Sequence, residues 1–295
     1  MWNKTLVVWF ADSAQKKNGN VYKAEQIGTL WDDISWGRLD LQGGVPFKNG
    51  KKPLKLLERL IQMATDENSV VLDFFSGSAT TADAVLQRND EDGGKRKFIL
   101  VQLPEETDPK SEAYKAGYKN ICEIGKERIR RAGKKILEEQ QKKQVDEGLF
   151  ASVSTSSAAS SLDIGFRVLK LDSSNMEDVY YRPEESSEAT LFDDNVKPDR
   201  TGEDLLFQVM LECNLPLSAK IETEKISGKE VFSVNDGYLI ACFDEKVNED
   251  VIKEVAKRQP YYFVMRDSSL ASDNVADNFE QIWKAYSKDT IRKIL

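Results

Sequence analysis

The segment VVLDFFSGSATTADAVL, residues 70–86, decides the fold of the first half of this 295-residue chain. An apolar run ends at Asp73, two phenylalanines and several small residues follow, and a helical pattern then begins at Thr80 and Thr81. This order predicts a strand, a tight turn and the N-terminus of a helix. In an open α/β sheet such a crossover lies at the carboxyl edge of the strands, where ligands bind.

The residues of this turn suit a ligand site. Gly77 lets the backbone approach a ligand closely, and the free N–H groups of a helix start favour an anionic group. Asp73 can pair with a cationic or hydroxyl-rich ligand. An ordinary strand-to-helix turn without a ligand is the alternative, because the segment contains neither G-x-G-x-x-G nor G-x-x-x-x-G-K-[ST]. The pattern alone leaves both interpretations open.

The stretch DFFSGSATTADAV, residues 73–85, resembles the AdoMet-binding motif of the β-class DNA amino-methyltransferases, usually written D-x-F-x-G-S-G-T-T. The flanking segments at 46–61 and 97–136 resemble the motifs that precede and follow it in this class. Three segments further on resemble the modification subunits of type III restriction systems. They read DIGFRVLKLDSSN, VFSVNDGYLIACFD and VMRDSSLASDNVADNFEQI. The resemblance covers nearly the whole chain.

This resemblance implies S-adenosyl-L-methionine (AdoMet) as the cofactor. The positions that match the motif, and that are therefore expected to contact it, are Asp73, Phe74, Gly77, Ser78, Thr80 and Thr81. Lys52 and Gln102 are second-rank candidates, and a plain surface lysine is the alternative for Lys52. Phe75 is expected to be a core residue. The resemblance assigns no catalytic residue and no metal to this chain.

Two positions depart from the usual motif. Gln102 replaces a glutamate that commonly binds ribose hydroxyls; its amide can still hydrogen-bond a diol, although the charge is lost. Ala79 replaces a glycine. If position 79 needs a positive φ, alanine costs about 1 kcal/mol there. If position 79 already starts the helix, alanine is harmless.

The motif that holds the target base in this class, Asp/Asn-Pro-Pro-Tyr/Phe, is missing. The chain has eight prolines, and no two of them are adjacent. The resemblance therefore identifies the chain as the C-terminal part of an adenine-specific enzyme that transfers a methyl group to N6 of adenine. We expect this chain alone to be inactive.

The same resemblance implies partners for the chain. They are DNA, bound through the complete enzyme, a second modification subunit and a restriction subunit. One alternative is a non-catalytic assembly module with a vestigial cofactor fold. The other is a nucleotide-dependent oxidoreductase, which the absent glycine fingerprint disfavours.

Composition limits the function classes. The chain has no histidine, which excludes histidine acid–base catalysis, and its three cysteines have no metal spacing, as expected of reduced thiols in a cytoplasmic protein. No apolar run is long enough for a membrane span. The net charge is −8, yet residues 95–135 carry twelve Lys/Arg and six Asp/Glu. For most of these basic residues a solvated helix face is favoured over DNA contact.

The Ser/Ala-rich composition of residues 149–162 predicts a linker and a domain boundary. For the remaining chain the resemblance implies a tail of a target-recognition region at 1–45, an AdoMet-binding part at 46–148 and an assembly domain at 163–295. The predicted fold class is α/β. A partial Rossmann-like methyltransferase sheet is expected first, followed by a small α+β domain.

Local patterns add detail to this plan. They predict one long helix over 111–145, a strand at 164–168, and a hairpin around Asn235-Asp236-Gly237, because that turn needs residues that tolerate a positive φ. Pro53 is expected in the first turn of a helix.

Overall fold

The computed structural model describes residues 14–17, 20–23, 28–47, 50–148, 162–177, 195–270 and 273–295. These residues form two compact units, divided between Phe166 and Arg167. The predicted linker at 149–162 lies outside the described residues except for Leu162. Both units combine helices with strands, and both contain parallel strand pairs, so the mixed α/β class is confirmed.

The first unit contains four strands and four α-helices in its described part, together with a 3-10 helix at Leu39–Gly44. In chain order they are β1 Ala14–Lys17, β2 Asn20–Lys23, α1 Leu54–Ala64, β3 Val70–Asp73, α2 Thr80–Asp92, β4 Lys97–Leu100, α3 Glu112–Lys115 and α4 Ile121–Gly148. Strands β1 and β2 form an antiparallel hairpin, whereas β3 and β4 are parallel, as expected for strands joined by a helical crossover.

Helix α2 is the centre of the first unit. Its Ala84 and Val85 pack with Ile61 of α1, and its Ala82 and Leu86 pack with residues of α4. Phe98 of β4 contacts both clusters. Burial of these small and branched side chains therefore fixes one face of the β3–β4 pair against three helices.

The opposite face of the β3–β4 pair is bare and apolar. Val70, Leu72, Ile99 and Val101 are each 51 to 58% exposed, and Leu103 extends the strip. Parallel strands normally have both faces covered, and a two-stranded sheet is marginal alone. The first unit thus presents an apolar sheet face that its own described residues leave open.

Ala79 immediately precedes α2 and adopts a left-handed conformation, with φ 58° and ψ 38°. Of the two alternatives raised by the sequence, the one in which alanine is strained is therefore correct. Ala79 is almost fully buried, and a Cβ added to Gly125 of α4 would lie 3.4 Å from its methyl group. The close approach of α4 holds Ala79 in place.

Arg128 of α4 is completely buried beneath the start of α2. Its Nε donates to Asp83 Oδ2 at 3.0 Å, and its Nη1 donates to Thr80 Oγ1 at 2.7 Å and Ser78 Oγ at 3.3 Å. The guanidinium also lies against Gly43, where a Cβ would come within 2.6 Å of Nε. One side chain thus ties α4, the start of α2 and the segment before α1 together.

The second unit is a layered α/β/α arrangement around a five-stranded sheet. Its elements are α5 Gly202–Glu212, β5 Ile221–Ile226, β6 Lys229–Val234, β7 Leu239–Cys242, α6 Glu249–Lys257, β8 Tyr262–Met265, α7 Asp273–Tyr286 and β9 Ile291–Ile294. The strand order is β5-β6-β7-β8-β9, antiparallel up to β7 and parallel from β7 to β9.

Each face of this sheet has its own core. Leu206 and Val209 of α5 pack on one face, while Ile252 of α6 and Trp283 of α7 pack on the other. The predicted hairpin is confirmed: β6 and β7 pair through a turn in which Asn235, Asp236 and Gly237 all have positive φ. Strand β5 was not predicted, since its charged sequence IETEKI is that of an exposed edge strand.

Three local predictions need correction. The long helix expected at 111–145 is divided into α3 and α4. Gly117, between them, has φ +95°, and the N–H of Thr107, which precedes α3, donates to the carbonyl oxygen of Lys119 at 2.9 Å. Residues 164–168 form no strand; Ile164 instead lies against Gly133 of α4. Pro53 immediately precedes α1.

Helix α4, 28 residues long, is rich in charge, and across the described ranges no helix combines the length and apolarity that a membrane span requires.

We predict that Arg128→Met destabilises the first unit by about 3–5 kcal/mol, because it leaves the Asp83 carboxylate buried without its partner. Lys134→Met, on the same helix but exposed, is the matched control and should change stability by less than about 0.5 kcal/mol. Urea unfolding, followed by amide hydrogen exchange in α2, measures both. Equal, small changes in the two variants would contradict the role assigned to Arg128.

We predict that Ala79→Gly changes stability by less than about 1 kcal/mol, because relief of the left-handed strain is offset by the lost methyl group and by a more flexible unfolded chain. Ala79→Val should cost more than about 2 kcal/mol, since a β-branched residue is disfavoured at positive φ and the site is fully packed. Thermal unfolding of both variants tests this; a tolerated valine would rule out the strain.

Candidate functional site

The candidate site is the turn between β3 and α2, which we call the 73–81 turn. Gly77 has φ +50°, and a Cβ built on it would have no atom nearer than Phe75 O at 4.0 Å. Conformation rather than crowding therefore requires glycine here. The Ser76 N–H donates to Val101 O at 3.3 Å, so the turn is fastened to the end of β4.

Asp73 spans the turn from one end to the other. Its Oδ1 accepts the N–H of Phe75 at 3.1 Å, and its Oδ2 accepts the hydroxyl of Thr81 at 2.6 Å. The two predicted site residues Asp73 and Thr81 are thus brought together, but by a bond to each other. Their arrangement connects the strand end to the first turn of α2.

Gln102 is also engaged with the turn. Its Oε1 accepts the N–H of Gly77 at 2.7 Å, and its Nε2 donates to Leu103 O at 3.2 Å. Cys122 Sγ lies 3.5 Å from the Gln102 carbonyl oxygen, which links residue 102 to the first turn of α4. The structure therefore places Gln102 beside the 73–81 turn, and its role toward a cofactor stays a prediction.

Ser78 and Thr80 are buried under the turn, with their hydroxyls 3.5 Å apart and both contacted by Arg128 Nη1. Arg128 was missed by sequence reasoning, which treated it as one of several basic residues on a solvated helix. Helical spacing could have separated it from Arg130 and Arg131, because Arg128 lies four residues after Ile124 and four before Ala132, on the buried stripe of α4. The packing of α4 against α2 supplies its partners.

The two phenylalanines of the turn point to solvent. Phe74 is 61% and Phe75 84% exposed, with ring centroids 5.1 Å apart and planes tilted by 54°. The expectation that Phe75 is a core residue is wrong. The reason is the bare sheet face, since the described residues of the first unit form no core on this side of β3–β4.

Lys52, the second-rank candidate before α1, is exposed. Its neighbour Lys51 is the buried lysine, and its Nζ donates to three carbonyl oxygens, those of Asp40, Gln42 and Val45, at 2.7 to 2.9 Å. Burial, together with the nearby positive charge of Arg128, lowers the pKa of Lys51 to about 8. Lys51 closes the segment before α1 instead of facing a ligand.

The basic segment 95–135 is largely neutralised. At least eight of its twelve Lys/Arg side chains form ion pairs, most of them within one helix turn, such as Lys126 with Glu123 and Arg131 with Glu127. This agrees with the favoured interpretation of a solvated helix face. Its charge provides no separate argument for DNA contact.

The arrangement fits a nucleoside-bearing ligand in its overall form. It offers a left-handed glycine turn at the carboxyl edge of two parallel strands, the N-terminus of helix α2, and two exposed aromatic rings. The polar side chains of the motif support the turn through bonds among themselves. The turn is therefore held in shape by the protein before any ligand arrives.

Comparison with known proteins shows which families this chain is similar to. Residues 7–132 match the family model described as DNA methylase. The chain is 42% identical over 120 residues to the Mod subunit of the type III restriction-modification enzyme StyLTI of Salmonella typhimurium, a match covering 39% of this chain and 18% of that protein.

Two further relatives agree. The EcoPI Mod subunit of Escherichia phage P1 is 33% identical over 204 residues, covering 67% of this chain and 28% of that protein. The type II methyltransferase M.KpnI of Klebsiella pneumoniae is 32% identical over 122 residues, covering 37% and 29%. The chain spans less than a third of the length of each of these relatives. Residues 7–132 thus match the DNA methylase family model, and the chain is similar to the Mod subunits of type III restriction-modification enzymes.

Proposed function

We propose that this chain is the AdoMet-binding portion of a site-specific DNA N6-adenine methyltransferase of a type III restriction-modification system. The observation that carries the proposal is the 73–81 turn, which lies within the family match and is preformed by Asp73, Gly77 and Gln102. Adenine N6, as opposed to another amino group, rests on the similarity to type III Mod subunits.

The residues that would hold AdoMet divide into two groups. Phe74, which is exposed, and Gly77, which is half-buried with its N–H bonded to Gln102, would contact the cofactor directly. Asp73, Ser78, Thr80 and Thr81 would act by maintaining the turn, since their hydrogen bonds lie within it. AdoMet, when bound, supplies the methyl group. The protein contributes position, which can lower a barrier by several kcal/mol.

We also propose that the first unit contains part of a Rossmann-like methyltransferase sheet. The bare apolar face of β3–β4 supports an α/β structure in which helices of another segment cover that face. Because the chain lacks adjacent prolines, the base-holding tetrapeptide would have to come from that other segment. The target base would also have to leave the DNA stack to reach the methyl donor.

The remaining partners follow from the same similarity. The relatives named Mod subunits are parts of restriction-modification enzymes. We therefore propose that the complete protein acts on DNA, pairs with a second modification subunit and associates with a restriction subunit in the cytoplasm. The second unit, for which no catalytic constellation is proposed, is the candidate for these assembly contacts.

We predict that calorimetric titration of AdoMet into the chain gives saturable binding and that Asp73→Ala abolishes it, because both bonds that span the turn are lost. Asp73→Asn keeps an acceptor for the Phe75 N–H and should weaken binding only about tenfold. Asp289→Asn, exposed in the second unit, is the control and should bind like the wild type. Equal binding by wild type and Asp73→Ala would refute the assigned site.

We predict that the chain alone does not methylate DNA. With AdoMet labelled in the methyl group and DNA containing adenine in all sequence contexts, transfer should stay at background, because no base-holding motif is present. An intact type III Mod subunit in the same assay provides the positive control. Chain-dependent appearance of N6-methyladenine, with no second protein added, would show that the base pocket exists elsewhere in this sequence.

A further inference from the structure

Gln102 occupies an unexpected place in the site. Sequence reasoning assigned its amide to the sugar hydroxyls of the cofactor, at a position where the related enzymes commonly have glutamate. In the structure its Oε1 accepts the Gly77 N–H at 2.7 Å, and this is a short, well-placed bond between residues 25 positions apart. The acceptor oxygen of the amide is therefore already used by the protein.

The orientation of the amide is determined by its two neighbours. The Gly77 N–H can only donate, and the Leu103 carbonyl oxygen, 3.2 Å from Nε2, can only accept. A reversed amide would place donor against donor on one side and acceptor against acceptor on the other. Gln102 is thus held in the orientation that presents its oxygen to Gly77.

This bond acts on the residue that gives the turn its shape. Gly77 has φ +50°, and its neighbour Ser76 is bonded to Val101, the residue before Gln102. The end of β4 therefore holds two consecutive residues of the turn, Ser76 through a backbone carbonyl and Gly77 through a side chain. A glycine is the residue with the most conformational freedom to lose, so an anchor at this position has the largest effect on turn order.

We propose that Gln102 is a positioning residue that fixes the 73–81 turn through the Gly77 N–H, and that it does not recognise the cofactor sugar directly. The role in cofactor binding rests on the proposed function, whereas the role in turn order does not. A glutamate here would keep the acceptor for Gly77 but would turn its second oxygen toward the Leu103 carbonyl. The amide therefore suits this site better than the carboxylate of the related enzymes.

The first arm of the test needs no ligand. Amide hydrogen exchange at Gly77, measured by NMR on the full chain, is compared in the wild type, Gln102→Met and Gln102→Glu. Methionine has a similar shape without the acceptor, so exchange at Gly77 should become at least tenfold faster; glutamate should retain most of the protection. Gln208→Met is the matched control, since Gln208 is hydrogen-bonded in the second unit. Unchanged exchange at Gly77 in Gln102→Met would overturn the proposal.

The second arm separates positioning from sugar recognition. S-adenosylhomocysteine and its 2′-deoxy analogue are titrated into the wild type and Gln102→Met. The proposal expects both ligands to bind Gln102→Met about tenfold more weakly than the wild type, so that the ratio of the two dissociation constants is the same in both proteins. A ratio that collapses toward one in Gln102→Met would mean direct contact with the sugar and would overturn the proposal. If the wild type binds neither ligand, the proposed function fails, and the exchange arm alone decides the role of Gln102.

Discussion

The buried ion pair between Arg128 and Asp83 is the interaction on which the first unit depends. A charged guanidinium is costly to bury, and this one is partly compensated by the Asp83 carboxylate and Thr80 hydroxyl of α2 and by the Ser78 hydroxyl just before it, while its Nη2 has no hydrogen-bond partner among the described residues. Its packing on Gly43 extends the same contact to the segment before α1. The long helix α4 is therefore positioned by the turn that it supports, and the turn cannot change shape without disturbing a buried charge.

This arrangement changes how the methyltransferase-like motif is understood. Asp73, Ser78, Thr80, Thr81 and Gln102 are the polar residues that the motif would offer to a cofactor. In the structure each of them is bonded to another part of the turn or to Arg128. The motif thus encodes a stable backbone shape as much as a set of ligand contacts. Since ordering a loop costs conformational entropy, a turn ordered in advance reduces the cost of binding.

The apolar face of β3–β4 sets a second constraint. The same strands that present the turn expose Leu72, Ile99 and Val101 on the side opposite the helices. A parallel pair of this kind is stable where both faces are covered. The 73–81 turn and the bare face meet at Phe74 and Phe75. Any segment that covers this face would therefore also lie next to the 73–81 turn.

The sequence by itself was enough to predict the strand at 70–73, the helix from Thr80 and the 235–237 hairpin, because period, glycine placement and turn chemistry are local properties. It also identified the methyltransferase motif. Side-chain partners could not be predicted in this way. The left-handed Ala79 and the bonds of Arg128 depend on how α4 packs against α2, while the burial of Lys51 depends on the carbonyl groups of the segment before α1.

Two other differences from the predictions have the same origin. Phe75 is exposed because no described segment covers its side of the sheet, and the predicted long helix is divided at Gly117 because the backbone after Gly117 pairs with the segment before α3. The sequence determined where the turn lies and which residue types form it. Only the tertiary structure decided what those residues bond to, because hydrogen-bond partners and burial are set by segments distant in the chain that packing brings together.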